Sequence, residues 1–358
     1  MVSMKFKFTR KTLLLPLVGI IAFLLYIYIF GVDIFEIIET LKGVNPYLYL
    51  LAAVLVVFDT FFFTVSWYLL LRFLSVKLSL AKSFLFVWFG TFMDILIPAE
   101  SISGEISKIY LVTREQNGTT GKVTASLVAQ RLIGMSINVV SLVLGASLLL
   151  MEKQLSGLML NLTLTLAALT FVFLILLLLL CVKENWTLRI VDKIIRFAEW
   201  ISRGRWKLAR IRTDAMKAAK AFHNAIREFG GSPKTIATAS LFSAISWILS
   251  LLVFYLTILA IGYTSISIGV ILVIFSIFIT IKSIPLGIPF EVGLPEITLT
   301  TLLILVGMPA ETSATATVLI RILTLWLRFF IGFAAQQWLG IKTIKTVNTN
   351  TNSKAQKT

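Results

Sequence analysis

Two glutamates and an arginine recur in this chain at almost one spacing. Glu100 and Glu105 lie in "IPAESISGEI", and Arg131 follows Glu105 by twenty-six residues. Glu291 and Glu296 lie in "IPFEVGLPEI", and Arg321 follows Glu296 by twenty-five. Each stretch reads Ile-Pro, one residue, Glu, four residues, Glu-Ile, with Pro98 and Pro289 in register. Charged side chains in apolar surroundings are costly, so they pair with one another or line a wet cavity. Two chemistries are open to this set. Arg131, Arg321 and Arg328 could hold an anion such as phosphate. Alternatively, Glu100 and Glu105 could serve a transferase as acid and base.

The surroundings are apolar. Of 358 residues, 58% are hydrophobic and 14% charged, whereas a soluble domain carries about a quarter charged. Runs such as "LLLPLVGIIAFLLYIYIF" and "LTLTLAALTFVFLILLLLLCV" are long enough to cross a hydrocarbon core. The short alternating segments of a β-barrel are absent. The chain therefore reads as an all-α polytopic membrane protein. "MVSMKFKFTRK" and the run behind it resemble a signal peptide, but no small-residue cleavage site follows, so this is an uncleaved first span. The single cysteine, Cys181, excludes an internal disulfide. The single histidine, His223, excludes a multi-histidine metal centre and argues against a His-dependent triad. No Walker loop or GxGxxG occurs, and no cofactor or metal is indicated. The net charge of +16 does not point to nucleic acid, because the basic residues gather between spans and at the ends, as in cytoplasmic loops.

That charge asymmetry orients the spans. Lys5, Lys7, Arg10 and Lys11 put the N-terminus in the cytoplasm, and Lys342 and Lys345 put the C-terminus there too. Spans are expected near 13–31, 46–71, 122–151, 155–182, 235–262 and 312–340, with the basic segment 183–234 in the cytoplasm. By this count 80–121 begins and ends in the cytoplasm, and 265–310 begins and ends outside. Each is too short or too charged for two conventional spans. Each therefore reads as a re-entrant helical hairpin, with tips at Pro98–Gly104 and Pro289–Pro295. The expected architecture is an inverted repeat of about six full spans and two re-entrant hairpins. Its parts are a first half, 1–182, with a hairpin near 80–114; a basic amphipathic linker, 183–234; a second half, 235–341, with a hairpin near 265–310; and a disordered tail, 342–358. Short Gly/Pro-interrupted segments at matching places in two halves mark a transporter's binding site.

The tips are built to start helices. Ser101 or Ser103 could cap a helix carrying Glu105 in its first turn. Gly293 and Pro295 could open one carrying Glu296. Helix N-termini favour anions. Arg131 and Arg321 lie about ten residues into their spans, roughly 15 Å along the axis and so near the midplane. Glu105 is expected to pair with one of them and Glu296 with the other, and the duplication gives both copies equal weight. Arg328, seven residues past Arg321, shares its face in a regular helix. Asp59, Asp94 and Lys282 complete the charges at membrane depth, Asp59 as a paired carboxylate. In the linker, Leu208, Ile211, Ala215, Ala218, Phe222 and Ile226 recur at helical spacing, with Lys207, Arg210, Arg212, Lys217, Lys220 and Arg227 elsewhere. Such a helix suits anionic headgroups on a leaflet; a plain charged connector is the other reading.

The order "IPAESISGEISKIYLV", then "ASLVAQRLIG", resembles the Pro…Gly-Glu…Arg signature of the lysylphosphatidylglycerol synthetase transmembrane-region family. "IPFEVGLPEI", then "ATATVLIRILTLWLRFFIG", is similar to its second signature. The resemblance covers about 10–340. It implies the flippase part of multiple peptide resistance factors, which moves aminoacylated phospholipid between leaflets. It maps Pro98, Gly104, Glu105 and Arg131 onto the first signature, and Gly293, Glu296 and Arg321 onto the second. The chain departs from the family in having no aminoacyl-transfer domain, and in Glu100, which stands where a basic or neutral residue is more usual. The expected activity is movement of a polar-headgroup lipid, phospholipid or polyprenyl-linked, through a midplane cavity in the plasma membrane. The alternatives are a membrane transferase acting on a lipid phosphate and a scaffold for a lipid-modifying enzyme. Cysteine labelling in a Cys181→Ser background tests the topology. Positions near Lys153 and Tyr263 should label from outside, and positions near Arg114 and Arg205 from the cytoplasm; Arg114 and Lys153 labelling from one side would end the inverted-repeat argument.

Overall fold

The computed structural model describes Glu39 and residues 42–97, 102–151, 157–201, 209–283 and 293–340. Among them every regular element is a helix. In chain order these are α1 Pro46–Phe73, α2 Leu80–Leu96, α3 Ile102–Glu115, α4 Thr120–Met151, α5 Gly157–Val182, α6 Glu184–Ile201, α7 Ala209–Gly230, α8 Pro233–Ala260, α9 Ile268–Lys282, α10 Leu294–Leu305 and α11 Ala310–Gly340. The last contains a π turn over Ile322–Leu327.

Five of these helices, α1, α4, α5, α8 and α11, are long and apolar enough to cross a membrane. Even the shortest such segment, the 22 residues Asn161–Val182 of α5, spans about 33 Å at 1.5 Å per residue, against a hydrocarbon core of about 30 Å. Only 22–39% of each span's most apolar window is buried. The outward side is apolar as well: Val140, Leu144, Phe171, Phe173 and Ile248 are exposed. In water so much apolar surface would drive aggregation, whereas against lipid tails it is matched. These helices correspond to the spans expected near 46–71, 122–151, 155–182, 235–262 and 312–340. The span expected at 13–31 lies outside the described residues, as do Pro98, Glu100, Pro289, Glu291 and the tail.

Among the described residues, four helices have 17 residues or fewer. Helices α2 and α3 form an antiparallel hairpin. At one end Ser103 and Gly104 bond to Asp94; at the other the Lys82 ammonium meets the Glu115 carboxylate at 2.9 Å. Helices α9 and α10, of 15 and 12 residues, pack on each other.

Packing divides the chain into two compact units, each drawing on both sequence halves. The first holds residues 1–56, 88–104 and 252–358. Its interior is aromatic. Phe254 meets Phe275 edge-on at 4.9 Å, and Phe92 lies against Phe329 and Phe333. Gly332 allows this approach, since a Cβ there would come within 2.7 Å of the Phe92 Cβ. The second holds residues 57–87 and 105–251. Its interior is laced with polar contacts: the Trp67 indole donates to Ser126 Oγ, Gln130 Nε2 donates to the Phe63 carbonyl, and Ser66 Oγ donates to the Ala239 carbonyl. Asp59 is paired as expected, accepting from Ser246 Oγ.

The linker forms α6 and α7, tied together by Asp192 with Arg212 and to each other's ends by Glu184 with Arg227. The side of α7 that is buried carries Ala219, Phe222, His223, Ala225 and Phe229. Of the expected stripe, Phe222 lies on this side, Ala215, Ala218 and Ile226 are half-buried, and the side chains of Leu208 and Ile211 lie outside the described residues. The difference has a steric cause. Helix α7 packs on α4 at Gly121, close enough that a Cβ there would lie 2.6 Å from Ala221 Cβ and 2.8 Å from the Phe222 nitrogen. Further along, Phe229 stacks on Phe73 at 5.5 Å. Small residues and aromatics thus choose the face, and Arg212, Lys217, Lys220 and Arg227 remain exposed. Substituting Gly121 by Ala should lower thermal stability in detergent by about 1–3 kcal/mol. The same change at Gly134, where nothing lies within 4 Å, should be neutral or stabilising, as Ala favours helix. Equal melting shifts for the two variants would remove the close-packing claim.

Candidate functional site

The site is built at two helix starts. Helix α10 opens at Gly293, whose φ of 107° is a conformation that glycine adopts without strain. Pro295 follows in the first turn, and its missing N–H is lost where no intrahelical acceptor exists. Glu296 then does two things. Its Oε2 accepts from the Gly293 N–H at 2.6 Å, closing the helix N-terminus. Its Oε1 accepts from Arg321 Nε at 2.5 Å. The two side chains are 3% and 4% exposed. Helix α11 approaches α10 closely at Ser313, Ala314, Thr315, Ala316 and Thr317, all buried, and Thr300 donates to Thr317 at 2.9 Å.

Helix α3 opens differently. Of the two expected serine caps, Ser103 sits inside the first turn, and Ser101 lies outside the described residues. The cap comes from α2. Asp94 Oδ1 accepts from the Gly104 N–H at 2.6 Å and from Ser103 Oγ at 2.8 Å. Gly104 admits no other residue without a shift, because a Cβ would press on Asp94 and stand 2.5 Å from the Gly90 carbonyl. The next residue, Glu105, pairs with Arg131 of α4 at 3.5 Å, with side chains 26% and 32% exposed.

Both expected pairings are therefore present, Glu105 with Arg131 and Glu296 with Arg321, but their characters differ. A charge-assisted hydrogen bond normally closes to about 2.7–2.9 Å, so the Glu105 pair is loose and partly exposed while the Glu296 pair is tight and buried. Arg328 does not share the face of Arg321. A π turn holds one residue more than an α turn, so Ile322–Leu327 rotates the remainder of α11 by about 100°, one residue's step. Arg321 is buried and Arg328 half-buried.

Sequence reasoning misses two contributors. Asp94 is visible there only as a charge at membrane depth, since a cap supplied from another helix has no local signature. Lys108 is the other; it is 8% exposed, and its ammonium sits 5.8 Å from the Phe63 ring centre and 5.4 Å from that of Trp67. Its spacing of three from Glu105 is the signal that could have found it.

Five apolar spans, short helices between them and ion pairs at their starts define a polytopic α-helical membrane protein. Residues 14–332 match the family model described as the lysylphosphatidylglycerol synthase TM region, and the chain belongs to that family. It is also 25% identical over 134 residues to the UPF0104 membrane protein MJ1595 of Methanocaldococcus jannaschii, a match covering 37% of this chain and 39% of that one. The matched segment thus spans about two fifths of that relative. No solved structure matches the chain significantly.

The difference between the pairs is measurable. Breaking a buried pair leaves a charge alone, so Glu296→Gln should destabilise by about 3–5 kcal/mol. Glu105→Gln, at a longer and partly exposed pair, should lose about 1 kcal/mol or less. Melting of both variants in detergent checks this; a Glu105 variant as unstable as the Glu296 variant would contradict it.

Proposed function

We propose that the chain is a lipid transporter of the flippase or scramblase kind, moving a lipid with a phosphate-bearing polar headgroup between leaflets. The cargo is a phospholipid or a polyprenyl-linked lipid. One observation carries this reading: the same constellation occurs twice. In each copy a glutamate stands in the first turn of a short helix, with a glycine at the helix start or inside its first turn, and it pairs with an arginine in the next long helix, as Glu105–Arg131 and as Glu296–Arg321. A one-leaflet enzyme needs a single such site, whereas a carrier presenting a headgroup to each side in turn uses two. In this reading the halves 1–182 and 235–341 are inverted repeats, and α2–α3 and α9–α10 are re-entrant hairpins from opposite faces. Glu100, Glu105, Arg131, Glu291, Glu296, Arg321 and Arg328 meet the headgroup. The exposed basic side chains of 183–234 face the anionic cytoplasmic leaflet of the plasma membrane, with both termini on that side.

The test is translocation of fluorescent lipids in proteoliposomes over a panel of headgroups, with mass spectrometry of the recovered lipid. Purified protein should move at least one phosphate-bearing lipid chemically unchanged, and Glu105→Gln should slow it by about tenfold or more, equivalent to about 1.4 kcal/mol of barrier. A covalently altered lipid would identify a transferase instead. Lipid traffic equal to that of empty liposomes across the panel would end the transport reading.

A further inference from the structure

Only Lys183 separates the span α5 from α6, and the Thr187 hydroxyl donates back across that junction to the Leu180 carbonyl at 2.8 Å. In a straight helix, residues seven apart stand about 10 Å apart along the axis. So short a bond over that interval requires the chain to bend sharply at Lys183, and α6 leaves the axis of the span. It is then held beside α7. Glu184 meets Arg227 at 3.1 Å and Asp192 meets Arg212 at 2.5 Å, so the two helices run antiparallel. Helix α7 in turn rests where two spans have their ends, on α1 at Phe73 and on α4 at Gly121. Helix α6 is thereby kept at the end of the spans, turned off the direction of α5.

The two sides of α6 are unlike. On one, Ile195 is buried and Leu188 half-buried, and the acidic Glu184 and Asp192 are half-buried in their ion pairs. On the other, Trp186 is 49% exposed and Ile190 42%. These two are four residues apart and so stand on one stripe of the helix. Lys183, Arg189 and Lys193 are exposed around it. Val182, which ends α5, is exposed as well and precedes Trp186 by four residues. The apolar surface that the span turns to lipid therefore reaches to within one turn of the stripe. A tryptophan and an isoleucine edged by cations, directly behind a span, suit a helix in the headgroup layer. The apolar side enters the acyl boundary, the indole sits at headgroup level, and the basic stems reach back to the phosphates. Charge complementarity selects the lipid. With Glu184 and Asp192 turned inward and paired, the exposed charges among the described side chains of α6 are positive, and positive juxtamembrane segments are drawn to an anionic leaflet.

We propose that α6 is an in-plane anchor on an anionic phospholipid leaflet, with Trp186 and Ile190 in the acyl boundary and Lys183, Arg189 and Lys193 on the headgroup phosphates. The inference rests on the orientation proposed above, which makes that leaflet the cytoplasmic one, but it is tested by depth and not by transport. The full-length Cys181→Ser protein carries one nitroxide, at Ile190→Cys or, for comparison, at Asn224→Cys, a position exposed on α7. It is reconstituted into vesicles of phosphatidylcholine and phosphatidylglycerol in equal parts. Oxygen concentrates in the lipid, and a nickel chelate stays in the water. Oxygen should relax the label at 190 more than the chelate does, and the order should reverse at 224. Vesicles of phosphatidylcholine alone should shift the label at 190 toward water, as should the joint changes Arg189→Gln and Lys193→Gln in the mixed vesicles. Where Ile190→Cys does not fold, Trp186→Cys takes its place.

Greater relaxation by the chelate at 190 in the mixed vesicles overturns the proposal. Exclusion of both reagents overturns the lipid assignment, since protein then covers the stripe. A depth indifferent to lipid charge and to the glutamine changes overturns the role of the cations. A label at lipid depth, in a protein that moves no lipid in proteoliposomes, supports the anchor and defeats the transport reading alone.

Discussion

The charge of Glu296 governs the second half of this molecule. An ionised carboxylate taken out of water must recover several kcal/mol from its neighbours, and Glu296 recovers it from two directions, a backbone N–H at Gly293 and the guanidinium of Arg321. Each demand constrains a different element. The N–H is within reach because Gly293 takes a φ that other residues avoid. The guanidinium is within reach because α11 presents a run of small residues, Ser313 to Thr317, where it crosses α10. Bulk at that crossing would part the charges, so packing and electrostatics there are one requirement.

The first copy meets the same problem with a different division of labour. In α10 one carboxylate caps the helix and binds the arginine. In α3 those tasks are separated: Asp94 caps, and Glu105 binds Arg131. The separation frees Glu105 from its own helix end and leaves its pair longer and more exposed. A residue with one obligation can exchange partners more readily than a residue with two.

Much of this is legible in the residues. Long apolar runs impose spans wherever lipid is the solvent, and matched spacing of opposite charges at one depth leaves few ways to pair them. The remainder depends on contacts far apart in sequence. The Asp94 cap depends on how closely α2 lies beside α3, which Gly104 permits, since a Cβ there would stand 2.5 Å from the Gly90 carbonyl. The buried face of α7 departs from the expected stripe at Ile226, which hydrophobicity alone favours, because the partner surface at Gly121 admits small residues and a backbone approach. The π turn has no sequence signature, so the arithmetic of a regular helix puts Arg321 and Arg328 on one face.

That turn bears on how one helix carries two arginines. In an uninterrupted helix, guanidiniums seven residues apart stand in one stripe, about 10 Å apart along the axis. Both would then share the same poorly screened surroundings, repelling each other and each requiring an anion. One extra residue in the ladder puts them out of phase. Arg328 turns to a half-buried position while Arg321 keeps the interior. The irregularity in α11 thus works as an insulator between like charges, setting the two guanidiniums in different surroundings on one helix.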